Sequence, residues 1–421
     1  MITTAIKVKN EPLTEIYYLT RGGLIVDKIY VRNPDVRLRS EPFGGFAWQA
    51  NSSVKKLTHQ HMQLLYALEK PQNYIELRRC FGDDILDCWN DVISHKLVQI
   101  WVGQSQPICE NELSLIRNRI SIAQSRTIMR PFWVHLQPFV FCNQNCVHCY
   151  CDAGSSHLPF KDHPIASWKL TIDKLIKFGV WDIYVTGGEN LIVDECFELV
   201  NYIRSMGATP AMSTNGMHVT QNTLDKIKEV GLSLIQVSLD GATEKTNDYM
   251  RGRSGAFKKT IEGIRKLSSI TRPVINCVVS CKNRHEVEPL VILGKTLGVT
   301  YFKFFPQKLV GRSQKKDILS DQQILELVEE CGNLSEKHGV RIETFDFTKP
   351  CGSGISGFAI NENFDIIPCI FGAHDNQQIC GNALRDDLET IWFDSPTLSR
   401  FRDMHADQPC HRCEPKLLSH E

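Results

Sequence analysis

Cys142, Cys146 and Cys149 stand in the string Cys-Asn-Gln-Asn-Cys-Val-His-Cys-Tyr, directly after a strand-like apolar run from Phe132 to Phe141. Three thiolates at C-x3-C-x2-C spacing can bind three irons of one cubic [4Fe–4S] cluster. The string supplies no fourth cysteine, and an iron left open can bind a further ligand. The spacing therefore reads as a reactive centre rather than a pure electron carrier. Zinc is the competing reading. It normally takes four ligands in C-x2-C-like pairs, and His148 would have to be the fourth. Cys146, His148 and Cys149 crowd into a loop that zinc sites rarely use.

Other features narrow the setting. At 421 residues the chain should form two or three domains. Forty-eight Lys and Arg balance forty-eight Asp and Glu, so no global charge excess points to nucleic acid or an anionic membrane. There is no apolar run of membrane-spanning length and no signal-peptide pattern at the N-terminus, which predicts a cytoplasmic protein. In that reducing compartment, sixteen cysteines point to metal sites or reactive thiols rather than disulfides.

Residues 1–30 are weakly patterned and read as an N-terminal extension. Residues 31–105 look like a small winged-helix-like module. Val36–Trp48 alternates as a hairpin turning near Pro42-Phe43-Gly44-Gly45. Thr58 can cap a helix bearing Met62, Leu64, Leu65 and Leu68. Two more helices are predicted over Tyr74–Cys80 and Asp84–Lys96, then a closing strand over Leu97–Val102. Residues 106–130 read as a linker with a helix near Asn111–Ser125. From 131 to 314, strand patterns at Trp133–Phe139, Trp181–Val185, Thr209–Ser213, Leu234–Leu239, Val274–Ser280 and Tyr301–Phe305 alternate with helical ones. Six βα units predict parallel strands with crossover helices and fit an α/β partial (βα)6 barrel. Residues 315–344 read as a connecting helix. Residues 345–421 form a small Cys-rich domain.

Four strings fall at the C-terminal ends of predicted strands, where barrel active sites are built. They are Thr186-Gly187-Gly188-Glu189, Ser213-Thr214-Asn215-Gly216, Val237-Ser238-Leu239-Asp240-Gly241 and Asp248-Tyr249-Met250-Arg251-Gly252. Each alone is weak, since Thr-Asn-Gly is usually only a turn. In this order behind the cysteine string, residues 131–312 resemble a radical S-adenosylmethionine (SAM) enzyme. The resemblance implies that SAM chelates the open iron and is cleaved reductively to a 5′-deoxyadenosyl radical, which abstracts hydrogen from an unactivated carbon. It implies cofactor contacts from Gly187, Gly188 and Glu189 to the methionine ammonium. It also implies hydroxyls from Ser213 and Ser238, contacts from Asn215 and Asp240, and a guanidinium fork from Arg251 to the SAM carboxylate. The proline usual after Gly-Gly-Glu is Asn190 here, which predicts a looser turn.

Cys351, Cys369 and the closing Cys410-His411-Arg412-Cys413 make a second four-ligand set. Four thiolates can also hold structural zinc. With Gly381-Asn382-Ala383 and Leu388-Glu389-Thr390-Ile391-Trp392 between them, however, the region resembles the short "twitch" form of the SPASM extension. That implies an auxiliary [4Fe–4S] cluster and two clusters in all. Where the extension usually has a glycine, five residues before Cys369, this chain has Phe364. Cys380 competes as a ligand. The remaining cysteines read mostly as small core residues.

The string Asn33-Pro34-Asp35-Val36-Arg37-Leu38-Arg39-Ser40-Glu41-Pro42-Phe43-Gly44-Gly45 resembles the recognition element of enzymes that modify ribosomally made peptides. That implies a precursor-peptide partner whose leader adds as a strand to residues 31–101. A DNA-reading role competes, but Asp83, Asp84, Asp87 and Asp91 line the third helix and would repel phosphate. The combined expectation is a radical SAM peptide maturase, reduced by flavodoxin or ferredoxin. An oxidative C–C or thioether crosslink is favoured over epimerisation, decarboxylation or backbone excision. Two alternatives are a radical SAM dehydrogenase of a small alcohol or protein side chain and, more remotely, an iron–sulfur or zinc transcription factor.

Overall fold

The computed structural model describes residues 5–6, 17–20, 23–26, 29–33, 36–41, 44–48, 55–82, 85–101, 104–106, 108–109, 112–113, 130–154, 163–232, 234–344, 352–372 and 378–405. The chain divides into two compact units, Met1–Met129 and Arg130–Glu421. Among the described residues no helix is long and apolar enough to cross a membrane.

The first unit is richer in strand than its sequence predicts. The weakly patterned first thirty residues contain β1 (Ala5–Ile6), β2 (Tyr17–Thr20) and β3 (Gly23–Val26), which form an antiparallel sheet. β4 (Ile29–Arg32) follows, and the expected hairpin forms from β5 (Arg37–Glu41) and β6 (Gly44–Trp48), closing at Glu41 opposite Gly44. β7 (Lys55–Leu57) pairs with β6, so β5 is an edge of its three-stranded sheet. Helices occupy His59–Ala67, Tyr74–Phe81 and Ile85–Ser94. Thr58 caps the first, its side chain accepting from His61 N, and Asn73 caps the second through Glu76 N at 2.8 Å. β8 (Gln72–Asn73) and β9 (Val98–Trp101) flank β4. The core is the predicted apolar helix face, with Met62, Leu64, Leu65 and Leu68 packed with Leu77, Trp89 and Val92. The helix expected over Asn111–Ser125 lies outside the described residues except for Glu112 and Leu113.

The second unit is an α/β partial barrel. Its strands are β10 (Trp133–Phe139), β11 (Asp182–Gly187), β12 (Thr209–Thr214), β13 (Ile235–Ser238), β14 (Val274–Val279) and β15 (Tyr301–Pro306). They pair in sequence order, every neighbour parallel. The sheet then goes further than the six predicted units. β16 (Arg341–Glu343) adds parallel to β15, and β17 (Gly357–Ile360) adds parallel to β10 on the other side. β18 (Asp365–Ile367) and β19 (Gly381–Asn382) finish it antiparallel. With β16 and β19 at opposite ends, the ten-stranded sheet curves without closing.

Alternation decides which face is which. In β12 and β15 every second residue is buried, for example Met212, Phe302 and Phe304. These pack under crossover helices such as Asp194–Ser205 and Val287–Thr296. The intervening residues, Ala211, Ser213, Lys303 and Phe305, stay half-buried toward the concave side.

Phe364 shows how the chain manages without the expected glycine. It sits in the turn from β17 to β18 at φ +64, a left-handed conformation costly for a large side chain. Burial offsets the strain: the ring is 2% exposed and lies 4.2 Å from the Trp168 ring on helix Ile165–Phe178. Asn361 N donates to Asp365 O and Phe364 N to Asn361 O, closing the hairpin.

Candidate active site

The cysteine loop begins where β10 ends. Cys142, Cys146 and Cys149 all line one cavity of about 390 Å³ at the C-terminal mouth of the barrel. Gly187, Gly188, Glu189, Ser213, Asn215, Ser238 and Arg251 line it too. Asp240 does not reach the wall. It is fully buried behind Arg251 and His148. Cys369 lines the same cavity with Ile370 and Phe371. Cys351, Cys410 and Cys413 lie outside the described residues.

Three glycines let neighbouring backbone touch the loop and its lead-in. A Cβ on Gly188 would lie 2.0 Å from Phe141 O, one on Gly252 2.0 Å from Asn145 O, and one on Gly311 2.1 Å from Cys149 O. The approaches are locked by main-chain bonds. Gly188 N donates to Phe139 O, Glu189 N to Phe141 O, Val147 N to Met250 O and Arg312 N to Cys149 O. Arg312, which lies in none of the sequence motifs, adds Nε to Cys146 O at 2.8 Å and NH1 to Asp152 Oδ1 at 2.7 Å. Asn190 replaces the expected proline without loosening the turn. Its buried amide donates to Val185 O and Ser213 O, tying β11 to β12.

The two acidic groups of the site are held differently. Glu189 accepts from Leu191 N at 3.0 Å, Thr214 Oγ1 at 2.5 Å and Asn215 N at 2.6 Å. Burial nevertheless raises its pKa, because those donors are neutral. Asp240 instead faces the Arg251 charge, with NH2 at 2.9 Å from Oδ2, beside the His148 imidazole at 3.2 Å, whose pKa burial lowers to about 4, while Oδ1 accepts from Val278 N. Burial opposes the Arg251 charge, and Asp240 and Cys146 more than restore it. Arg251 NH1 lies 3.7 Å from Cys146 Sγ.

Burial pushes the Cys142 thiol up to about 12 and raises Cys146 as well. Cys149 is lowered, first by a hydrogen bond from the buried Cys151 thiol 3.8 Å away and further by the nearby Arg312. Among the described residues no three His, Cys, Asp or Glu side chains are grouped to hold a metal ion. The three thiols surround a cavity instead, with a guanidinium beside one of them. This donor set suits a cubic cluster better than a single zinc ion, which needs four convergent ligands. Of the cysteines without a site role, Cys88, Cys196, Cys277 and Cys331 are buried as expected, whereas Cys109 and Cys281 are exposed.

Residues 136–291 match the radical SAM superfamily and residues 351–414 an iron–sulfur cluster-binding domain, SPASM; together they span about half the chain. The AdoMet-dependent heme synthase of Methanosarcina barkeri is 27% identical, over 66% of this chain and 86% of that protein. The sporulation killing factor maturation protein SkfB of Bacillus subtilis is 24% identical, over 80% of this chain and 83% of the relative. The crystal structure of Streptococcus suis SuiB bound to precursor peptide SuiA superposes with a TM-score of 0.68 at 16% identity, covering 89% of this chain and 90% of that one, and so shares the fold. A cysteine loop, a Gly-Gly-Glu turn and a C-terminal SPASM domain in this order make the chain a radical SAM enzyme, one that uses S-adenosylmethionine with a [4Fe–4S] cluster and carries further iron–sulfur binding behind the barrel.

Proposed function

We propose that this enzyme modifies a ribosomally made precursor peptide. One observation carries the reading: similarity to peptide-modifying enzymes reaches beyond the catalytic unit. Residues 130–421 are about 69% of the chain. A match over 80% must extend about 45 residues into the first unit, and one over 89% about 83. SkfB is named as a maturation protein, and SuiB is crystallised with its precursor peptide. In the first unit, β5 offers a sheet edge to which an extended leader can add by main-chain hydrogen bonds.

In this reading Cys142, Cys146 and Cys149 hold the cluster, and Arg251 offsets the charge of the Cys146 thiolate. Gly188 and Glu189 fix the loop, while Ser213, Asn215 and Ser238 present polar groups to SAM. When bound, SAM and the cluster supply hydrogen abstraction from an unactivated carbon. Cys369 on the same cavity wall, as a ligand of the auxiliary cluster with Cys351, Cys410 and Cys413, gives an electron from the product a nearby destination. That supports net oxidation, hence a crosslink rather than epimerisation. A flavodoxin or ferredoxin supplies the reducing electron.

The heme synthase relative favours a second reading, a small-molecule substrate. Its 66% coverage needs no more than residues 130–421 provide. The test incubates the loaded, reduced enzyme with SAM and the peptide encoded beside its gene. The expected result is 5′-deoxyadenosine together with a peptide lighter by two hydrogens. Formation of 5′-deoxyadenosine that no peptide stimulates, and that a porphyrin does, would establish the second reading instead.

A further inference from the structure

The cysteine loop has an inner and an outer face. Cys146 and His148 are buried and line the cavity, while Asn145 between the first two cysteines is exposed. Two segments meet the outer side, and a third bridges them. Gly252 abuts Asn145, and Val147 N bonds Met250 O. Gly311 abuts Cys149 and Tyr150. Residues 281–286 join the two, since Ser280 Oγ lies 3.9 Å from Met250 Sδ and Cys281 N bonds Asp317 O.

These segments are strongly basic. Residues 142–154, 244–259, 281–286 and 308–317 together hold eleven Lys and Arg against five Asp and Glu, in a chain whose charges balance overall. All five acids are engaged locally. Asp152 pairs with Arg312, Glu244 with Lys258 and Asp317 with Lys282. Asp248 accepts from Gly255 N and Phe257 N, and Glu286 from Ala242 N and Thr243 N. Arg253, Lys315 and Lys316 are exposed and make no ion pair among the described residues. Large apolar side chains accompany them. Phe141, 57% exposed, directly precedes Cys142; Tyr249 and Leu309, also exposed, each stand within three residues of a glycine that touches the loop.

We propose that this surface docks an acidic one-electron carrier protein. The inference rests on the catalytic unit needing one electron per SAM cleaved. That electron leaves the reduced carrier and enters the cluster, and the shortest route is through the outer face of the loop that holds it. Exposed cations within a few residues of the exposed Tyr249 and Leu309 suit a transient, electrostatically steered encounter rather than a permanent interface.

The test uses the full-length holoenzyme and an acidic flavodoxin. Binding is read directly, and 5′-deoxyadenosine formation is driven in parallel by flavodoxin and by dithionite. The triple variant Arg253→Glu, Lys315→Glu, Lys316→Glu should weaken flavodoxin binding, and slow the flavodoxin-driven rate, by about tenfold or more at low salt. Its iron content should be unchanged and its dithionite-driven rate should stay within about twofold, because none of the three residues touches the cavity. Wild-type binding should fall with added salt. The control variant Lys177→Glu, Lys228→Glu alters the last turns of two helices at the opposite end of the barrel and should behave as wild type. Equal flavodoxin binding by the triple variant and wild type overturns the proposal, as does equal loss in the control. Tight binding of duplex DNA with no flavodoxin binding overturns it in favour of nucleic acid. Failure of dithionite to cleave SAM in the wild type would count against the catalytic reading, while the binding measurement would still judge the docking face.

Discussion

The cysteine loop is gripped from two sides, and the two grips work by different physics. On the Gly-Gly-Glu side the contacts are main chain and neutral: Gly188 and Glu189 amides on Phe139 and Phe141 carbonyls, and a carboxylate satisfied by Leu191 N, Thr214 and Asn215 N. On the Arg251 side one main-chain bond is backed by a buried ion pair of Asp240 and Arg251, with the neutral His148 ring and Cys146 beside it. The neutral side fixes position, since backbone cannot retreat without moving a strand. The charged side sets potential at one ligand sulfur. Geometry and electrostatics of the loop are thus separable by mutation.

The largest effect should come from the glycines. Gly188→Ala drives a Cβ to 2.0 Å from Phe141 O, and Gly252→Ala does the same to Asn145 O at φ +57. Backbone must shift in both, at a cost of about 3 kcal/mol or more. Gly188→Ala should lose nearly all bound iron, because Phe141 adjoins Cys142. Gly252→Ala should lose less, since it displaces only the outer turn of the loop. Iron content and thermal unfolding of the purified variants read both, and equal iron loss would erase the distinction between the two sides.

Next come the carboxylates. Asp240→Asn leaves the Arg251 guanidinium buried without its counter-charge, which should cost about 3–5 kcal/mol. Glu189→Gln keeps its shape and gives up hydrogen bonds from neutral donors, at about 1–3 kcal/mol. Denaturant unfolding of the cluster-free chain should rank them in that order. Their pH dependence also differs. Burial holds the Glu189 pKa above its ordinary value, so the native state keeps that proton more tightly than the unfolded chain. Its contribution to stability is full below the ordinary carboxylate range and is lost as pH rises through the raised value. Wild type should lose stability across that window, and Glu189→Gln should flatten the slope. A steeper slope in the variant would assign the dependence to another group.

Much of this site was legible in sequence for a local reason. The cysteines, Gly-Gly-Glu and Ser-Thr-Asn-Gly each lie at the end of a strand whose alternation is plain, so the βα pattern placed them at one mouth of the barrel. What escaped depended on distant contacts. β16 and β17 are three and four residues long, too short for periodicity to show. Asp240 reads as a cofactor contact because its string resembles one, yet it is fully buried against His148 and Arg251, which come from other segments. The tie made by Asn190 could not be seen, because its acceptors belong to two different strands. The strands β1, β2 and β3 lie in a segment with little amphipathic signal, where pairing rather than propensity makes the sheet.

The smallest expected effect falls on Arg312, the brace neither side supplies. Its guanidinium joins Cys146 O, Asp152 and Ala153 O, so one side chain spans the loop from the second cysteine to its end. Arg312→Lys keeps the charge but cannot reproduce a planar fork with donors in two directions, and should cost about 1–2 kcal/mol. The loss should be one of geometry more than charge. Cluster-loaded Arg312→Lys should hold near wild-type iron but release it faster to a chelator, whereas Arg312→Met should also raise the Cys149 pKa, which Arg312 helps to lower. Chelator release rates on both variants, with thiol titration of the cluster-free chain, test this. If lysine restores the wild-type release rate, the brace is electrostatic and Arg312 belongs with the Arg251 side; if it does not, main-chain geometry holds the loop on both of its flanks.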